Sequence, residues 1–130
     1  YSSLSNKYIK VVPFINDMAS AYSLSNLVRC RSGALTISEL TACGKPSILI
    51  PFAAAAGDHQ LKNAKTLSKK GASIIIEEKD FDSKILLSKI NELINDDSKL
   101  SSMSIASKKL GNIDATKIIV DLIAKGNYIV

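Results

Sequence analysis

The sequence predicts an α/β domain: an open parallel sheet with helices covering its faces. Three observations predict it. Hydrophobic period switches repeatedly between strand-like and helix-like along the 130 residues. The run PSILIPF at 46–52 is apolar at successive positions, as in a strand covered on both faces of a parallel sheet. Glycines stand at the ends of two helix-like stretches, Gly44 and Gly71.

The elements follow in order. YIKVVPFI at 8–15 is short, rich in β-branched residues and bounded by polar ones, and reads as a strand. Asp17 caps a short helix whose Met18, Tyr22 and neighbouring alanines share a face. NLVRCR at 26–31 is a second strand. Residues 34–43 form a helix, with Leu35, Leu40 and Ala42 among its packing residues and Gly44 stopping it. PSILIPF is the third strand. After the loop 53–58, a helix over 59–70 ends at Gly71, and ASIIIEE at 72–78 is a fourth strand. Helices follow near 83–95, 97–110 and 114–125, the last carrying Ile118, Ile119, Leu122 and Ile123 at helical spacing.

A hydrophobic content of 46% in 130 residues builds one core, hence one domain. No apolar run approaches the roughly 20 residues that span a bilayer. The chain opens at Tyr1, with neither methionine nor a charged-then-apolar leader, and reads as a piece of something longer. The net charge of +5 is scattered over short pairs such as Lys69-Lys70 and Lys108-Lys109, and aromatics make up 5%. That is not the footprint of a nucleic-acid binder, which concentrates charge on one face among aromatics. Solvated helix faces account for it, with weak attraction to an anionic membrane surface as the alternative. Cys30 and Cys43 are too few for a disulfide framework and lack metal-ligand spacing. Both stand among apolar neighbours, as small hydrophobes do, and fit a reducing cytoplasm. Arg29, inside an apolar strand, needs a charged partner or an exit to solvent.

Parallel sheets bind ligands beyond the carboxyl ends of their strands. Here that means the loops after Phe14, Cys30 and Phe52, and the chemically interesting residues fall there. In CRSGALTISELTACGKPSILIPF, 30–52, Gly33 lies where strand gives way to helix and lets an anionic group approach the backbone. The amides of Ala34, Leu35 and Thr36 open the helix without intrahelical partners, where the dipole favours negative charge. That is a phosphate site, to which Thr36 and Ser38 add hydroxyls. Glu39 lies about one and a half turns further on, where its carboxylate reaches a different part of an extended ligand, as acidic residues hold ribose in dinucleotide folds. The competing reading gives Glu39 only a helix-dipole role. Gln60 and Asn63 open the next helix with amides that donate and accept, as sugar hydroxyls require. His59, the single histidine, lacks a carboxylate or cysteine at fixed spacing, so it reads as a cap or ligand-orienting group rather than a base.

The pattern SRSGALTxxE…GxPxxxxPF…DHQxxNA is the donor-site signature of the MurG family, and residues 30–64 resemble it closely. FINDMASAYSLSNLV at 14–28 and GASIIIEE at 71–78 extend the resemblance over most of the chain. It implies a Rossmann-like open parallel sheet with flanking helices, the C-terminal half of a two-domain GT-B glycosyltransferase. It also implies transfer of N-acetylglucosamine, with inversion, from its uridine diphosphate to undecaprenyl-pyrophosphoryl-muramyl-pentapeptide. The resemblance further implies action at the cytoplasmic face of the bacterial inner membrane, in peptidoglycan synthesis, with no cofactor, no metal and no nucleic acid. Residue by residue, it implies that Ile15 meets the uracil through its backbone. Ala34, Leu35, Thr36, Ile37 and Ser38 line the diphosphate, Glu39 holds the ribose, Gln60 contacts the sugar, and Arg31, Ser32 and Gly33 form the turn. With His59 and Asn63 these complete the candidate donor site.

Against the family pattern, residues 1–130 form a single, incomplete donor-binding domain. The N-terminal acceptor domain, the donor domain's first strand and its glycine-rich loop are absent. The alanines 53–56 stand where relatives often carry proline and an aromatic. No catalytic residue is expected in this portion, which alone transfers no sugar. The alternatives are a soluble donor-binding subunit of a two-piece dolichol-linked N-acetylglucosamine transferase and a non-enzymatic interaction module. The second leaves Gly33, Glu39 and Gln60 converging on nothing.

Overall fold

The computed structural model describes residues 7–54 and 56–114, without the side chain of residue 56. The helix expected over 114–125, with its Ile118–Ile123 stripe, lies outside the described residues beyond its first position. Helix α1 spans Met18–Leu24, β1 Val28–Cys30, α2 Ala34–Ala42 and β2 Ser47–Leu49. They are followed by α3 His59–Lys69, β3 Ser73–Ile75, α4 Ser83–Ile94 and α5 Asp97–Leu110. The strands form one parallel sheet in the order β1-β2-β3, with Cys30 level with Leu49 and Leu49 with Ile75.

Local chemistry sets the boundaries. Asp17, Asp82 and Asp96 each accept a backbone N–H in the first turn of α1, α4 and α5, at 3.0, 3.0 and 2.8 Å. After α2 and α3 the chain turns through Gly44 and Gly71, at φ of 61° and 75°, a left-handed conformation that glycine adopts without strain. Pro51, which has no N–H to give, marks the exit from the sheet after β2.

Side-chain alternation in β2 divides the core. Leu49 points to a cluster with Tyr22, Leu40, Ala64 and Leu67, so α1, α2 and α3 cover one face. Ile48 and Ile50 point to Leu93 and Met103, so α4 and α5 cover the other. The far end of α5 rounds the sheet to meet α2, and Ser107 Oγ donates to the carbonyl of Leu40 at 3.2 Å.

Several expectations are corrected. Residues 8–15 join no strand of this sheet and are exposed throughout; Pro13 withholds the N–H that a ladder needs there. In α2 the packing face is Ile37, Leu40 and Thr41, at the helical i, i+3, i+4 spacing, while Leu35 is 81% exposed and Ala42 is exposed. Cys30 is partly buried, and burial pushes its thiol up to about 11, but Cys43 is exposed at the end of α2. Arg29 takes the exit to solvent, with its guanidinium 5.7 Å from the centre of the Phe81 ring.

Candidate functional site

The three strands point their carboxyl ends at the turn 31–33, the loop 50–53 and the segment 76–78, and the side chains there knit these three together. Arg31 is the hub. Its Nη1 donates to the carbonyls of Ile50 and Pro51 at 3.1 and 3.3 Å, and its Nη2 lies 2.5 Å from Glu78 Oε1. The guanidinium also stands 5.4 Å from the centre of the Phe52 ring. Glu78 Oε2 in turn accepts the Ala53 N–H at 2.8 Å. The Ala53 amide first, and then Arg31, hold this carboxyl below its ordinary range.

A second set of bonds joins the turn to the start of α3. Buried Ser32 donates from Oγ to the carbonyl of Gln60 at 2.8 Å, and Asn63 Nδ2 donates to the carbonyl of Ser32 at 3.1 Å. Gln60 Oε1 accepts the Phe52 N–H at 3.0 Å, which fixes its carboxamide with the NH₂ group turned away from that bond. His59 is exposed at the first position of α3, following Gly57 and Asp58 in left-handed conformations with φ of 64° and 54°.

Gly33 caps α2 in an extended conformation, φ −64° and ψ 154°, with no side-chain cap. Beyond its neighbours in the chain, no atom of the described residues lies within 4 Å of the place a Cβ would take. The fold therefore needs glycine here neither for its dihedrals nor for packing. Behind it, Ile37 N–H is the first of the helix to reach back, 3.0 Å to the Gly33 carbonyl, leaving the amides of Ala34, Leu35 and Thr36 without intrahelical partners. Ala34, Leu35 and Ser38 are exposed, Thr36 is half-buried, and Ile37 packs partly against the core. Ser38 Oγ bonds back to the carbonyl of Ala34 at 3.1 Å, so its proton is engaged within the helix.

Glu39 is exposed six residues past Gly33, about 9 Å along the helix axis. Its Oε2 accepts a 2.9 Å hydrogen bond from the hydroxyl of Tyr22. Ile15 is exposed in the segment leading into α1, the helix that carries Tyr22. Sequence reasoning missed two partners: Glu78, signalled by a pair of carboxylates closing an apolar strand, and the Tyr22 hydroxyl, which no sequence spacing singles out.

A parallel sheet with helices on both faces and an open helix start at its carboxyl edge is the arrangement in which α/β folds bind ligands, and the GT-B glycosyltransferases are one class built on it. The family model described as Glycosyltransferase family 28 C-terminal domain matches residues 1–119, and the chain belongs to that family. Among curated relatives, a protein of Syntrophus aciditrophicus is 50% identical over 112 residues, 86% of this chain and 31% of its own length. One from Geobacter metallireducens is 46% identical over 111 residues, 85% of this chain and 30% of its own length. Both are named UDP-N-acetylglucosamine--N-acetylmuramyl-(pentapeptide) pyrophosphoryl-undecaprenol N-acetylglucosamine transferase. The crystal structure of Acinetobacter baumannii MurG superposes with a TM-score of 0.82 at 36% identity, covering 89% of this chain and 33% of that one. The chain thus spans about a third of the length of these proteins.

Proposed function

We propose that this chain binds the donor, uridine diphosphate N-acetylglucosamine, for an inverting transferase that passes the sugar to undecaprenyl-pyrophosphoryl-muramyl-pentapeptide. The observation that carries the proposal is the pairing on α2 of a free helix start behind an uncrowded glycine with an outward carboxylate about 9 Å further on. An anionic diphosphate is favoured at the first and a pair of ribose hydroxyls at the second.

In this reading the amides of Ala34, Leu35 and Thr36 take the diphosphate, Glu39 takes the ribose, and the backbone at Ile15 takes the uracil. Gln60 presents its NH₂ group to a sugar oxygen, since its carbonyl already serves Phe52. Asn63 and Ser32 hold the turn to α3, His59 orients the ligand, and Arg31 braces the loops through Glu78 and the carbonyls of Ile50 and Pro51. The acceptor and the reacting groups that face it belong to a domain outside these residues. The family names of the relatives favour the bacterial lipid-linked acceptor over the dolichol-linked one. No helix among the described residues is long and apolar enough to cross a membrane. We place the enzyme on the cytoplasmic face of the bacterial inner membrane, where a lipid-linked acceptor and a soluble nucleotide sugar meet.

Calorimetric titration of the chain with uridine diphosphate N-acetylglucosamine, and with adenosine diphosphate as control, tests the proposal. Saturable one-to-one binding of the uridine nucleotide, at least about tenfold tighter than the control, is expected. Absence of binding, or equal affinity for both, contradicts it.

A further inference from the structure

We infer that Tyr22 is a positioning residue for the donor nucleotide: the hydroxyl of its core-packed ring holds the Glu39 carboxylate in the orientation that receives the ribose. The inference rests on the donor-binding reading and adds to it a residue that touches no ligand.

Tyr22 is 6% exposed and packs in the cluster with Leu40, Leu49 and Leu67, so the ring is fixed by the core. Its backbone carbonyl accepts from Ser25 Oγ at 2.9 Å, which anchors the end of α1 next to it. From that position the hydroxyl reaches Glu39 Oε2 at 2.9 Å across 17 residues of sequence. Glu39 is otherwise exposed, and an exposed glutamate samples several rotamers, whose loss on binding costs up to about 2 kcal/mol. A hydrogen bond from a ring that cannot move selects among those rotamers before the ligand arrives.

The chemistry permits both duties at once. Each carboxylate oxygen accepts more than one hydrogen bond, so Oε2 keeps Tyr22 while both oxygens remain open to two ribose hydroxyls. Burial, and then the bond to Glu39, push the tyrosine hydroxyl well above its ordinary range, so it stays protonated and donates throughout neutral pH. The bond also links two parts of the candidate site through one helix, because the segment carrying Ile15 runs directly into α1.

The test is a cycle of affinities for uridine diphosphate in the unaltered chain, Tyr22→Phe, Glu39→Ala and the double variant, with thermal melts of each. Loss of the hydroxyl should weaken binding roughly three- to tenfold in the unaltered background and leave binding unchanged in the Glu39→Ala background. The 2′,3′-dideoxy nucleotide should bind the unaltered chain and Tyr22→Phe alike. An equal loss in both backgrounds, or no loss in either, overturns the inference while leaving the donor reading in place. Failure of the unaltered chain to bind uridine diphosphate at all overturns both. If Tyr22→Phe melts too low to titrate, the ¹³Cζ resonance of Tyr22 in the unaltered chain decides the matter. It should move on saturation with uridine diphosphate and stay in place with the dideoxy form, and a resonance indifferent to both contradicts the inference.

Discussion

Arg31 Nη2 lies 2.5 Å from Glu78 Oε1, and this pair joins the turn after β1 to the segment after β3 across the carboxyl edge of the sheet. An arginine in such a turn invites assignment to the diphosphate. Here its charge is matched by Glu78, its Nη1 is engaged by two carbonyls and its plane lies near Phe52. It acts as a brace, and in the proposed donor site the phosphate is left to backbone amides.

The brace has a pH signature. Glu78 has its pKa lowered in the folded protein, so its contribution is fully present above the ordinary value of 4.5 and is lost as pH falls through the lowered one. Glu92 is a second carboxyl of this kind, held at about 2 by Lys99 and Lys89 at the α4–α5 junction. Urea unfolding between pH 7 and about pH 2 should show stability falling below about pH 4.5. The fall should be shallower in Glu78→Gln and in Glu92→Gln than in the unaltered chain. Parallel acid limbs in all three proteins would mean that neither pair matters to stability.

Gly33 and Gly111 separate ligand from fold. A Cβ at Gly111 would stand 2.6 Å from the carbonyl oxygen of Thr41, where the end of α5 meets α2. Gly111→Ala should therefore destabilise the protein by about 1–3 kcal/mol, since backbone atoms have to yield. Chemical denaturation measures this, and an unchanged midpoint would show that the two helices are free to separate.

Gly33→Ala should behave in the opposite manner. Its φ of −64° suits alanine and the space around it is open, so stability should change by no more than about 1 kcal/mol. Uridine diphosphate affinity should fall at least about tenfold, because in the proposed site the methyl group would stand where phosphate approaches the first amides of α2. Unchanged affinity would move the diphosphate away from this turn.

Much of this arrangement was legible in the sequence. Asp17, Gly44 and Gly71 marked helix ends through local chemistry, and each lies where the structure places an end. β2 announced itself because burial on both faces leaves a continuous apolar run. The exposed run at 8–15 carried the same composition without the same outcome, because strand formation depends on pairing that a local window does not contain. The apolar side chain of Leu35 suggests a packing role, but helical geometry turns it outward while Ile37, Leu40 and Thr41 face in. The open helix start and Glu39 followed from spacing within one element. The bonds from Tyr22 to Glu39 and from Arg31 to Glu78 span 17 and 47 residues, and only the folded sheet brings their partners together.

Glu39 offers the most direct measurement of the central claim, that α2 carries a nucleotide-sugar donor. Uridine diphosphate and its 2′,3′-dideoxy form are titrated calorimetrically, at fixed salt, into the unaltered chain and into Glu39→Ala. A charge-assisted hydrogen-bond pair to the ribose is worth roughly 1.5–3 kcal/mol, so the substitution should weaken uridine diphosphate binding about 10- to 150-fold. Removing the ribose hydroxyls should cost the unaltered chain about as much, with little further loss when both changes are combined. Independent, additive losses, or a Glu39→Ala chain that binds as tightly as the unaltered one, would contradict the account.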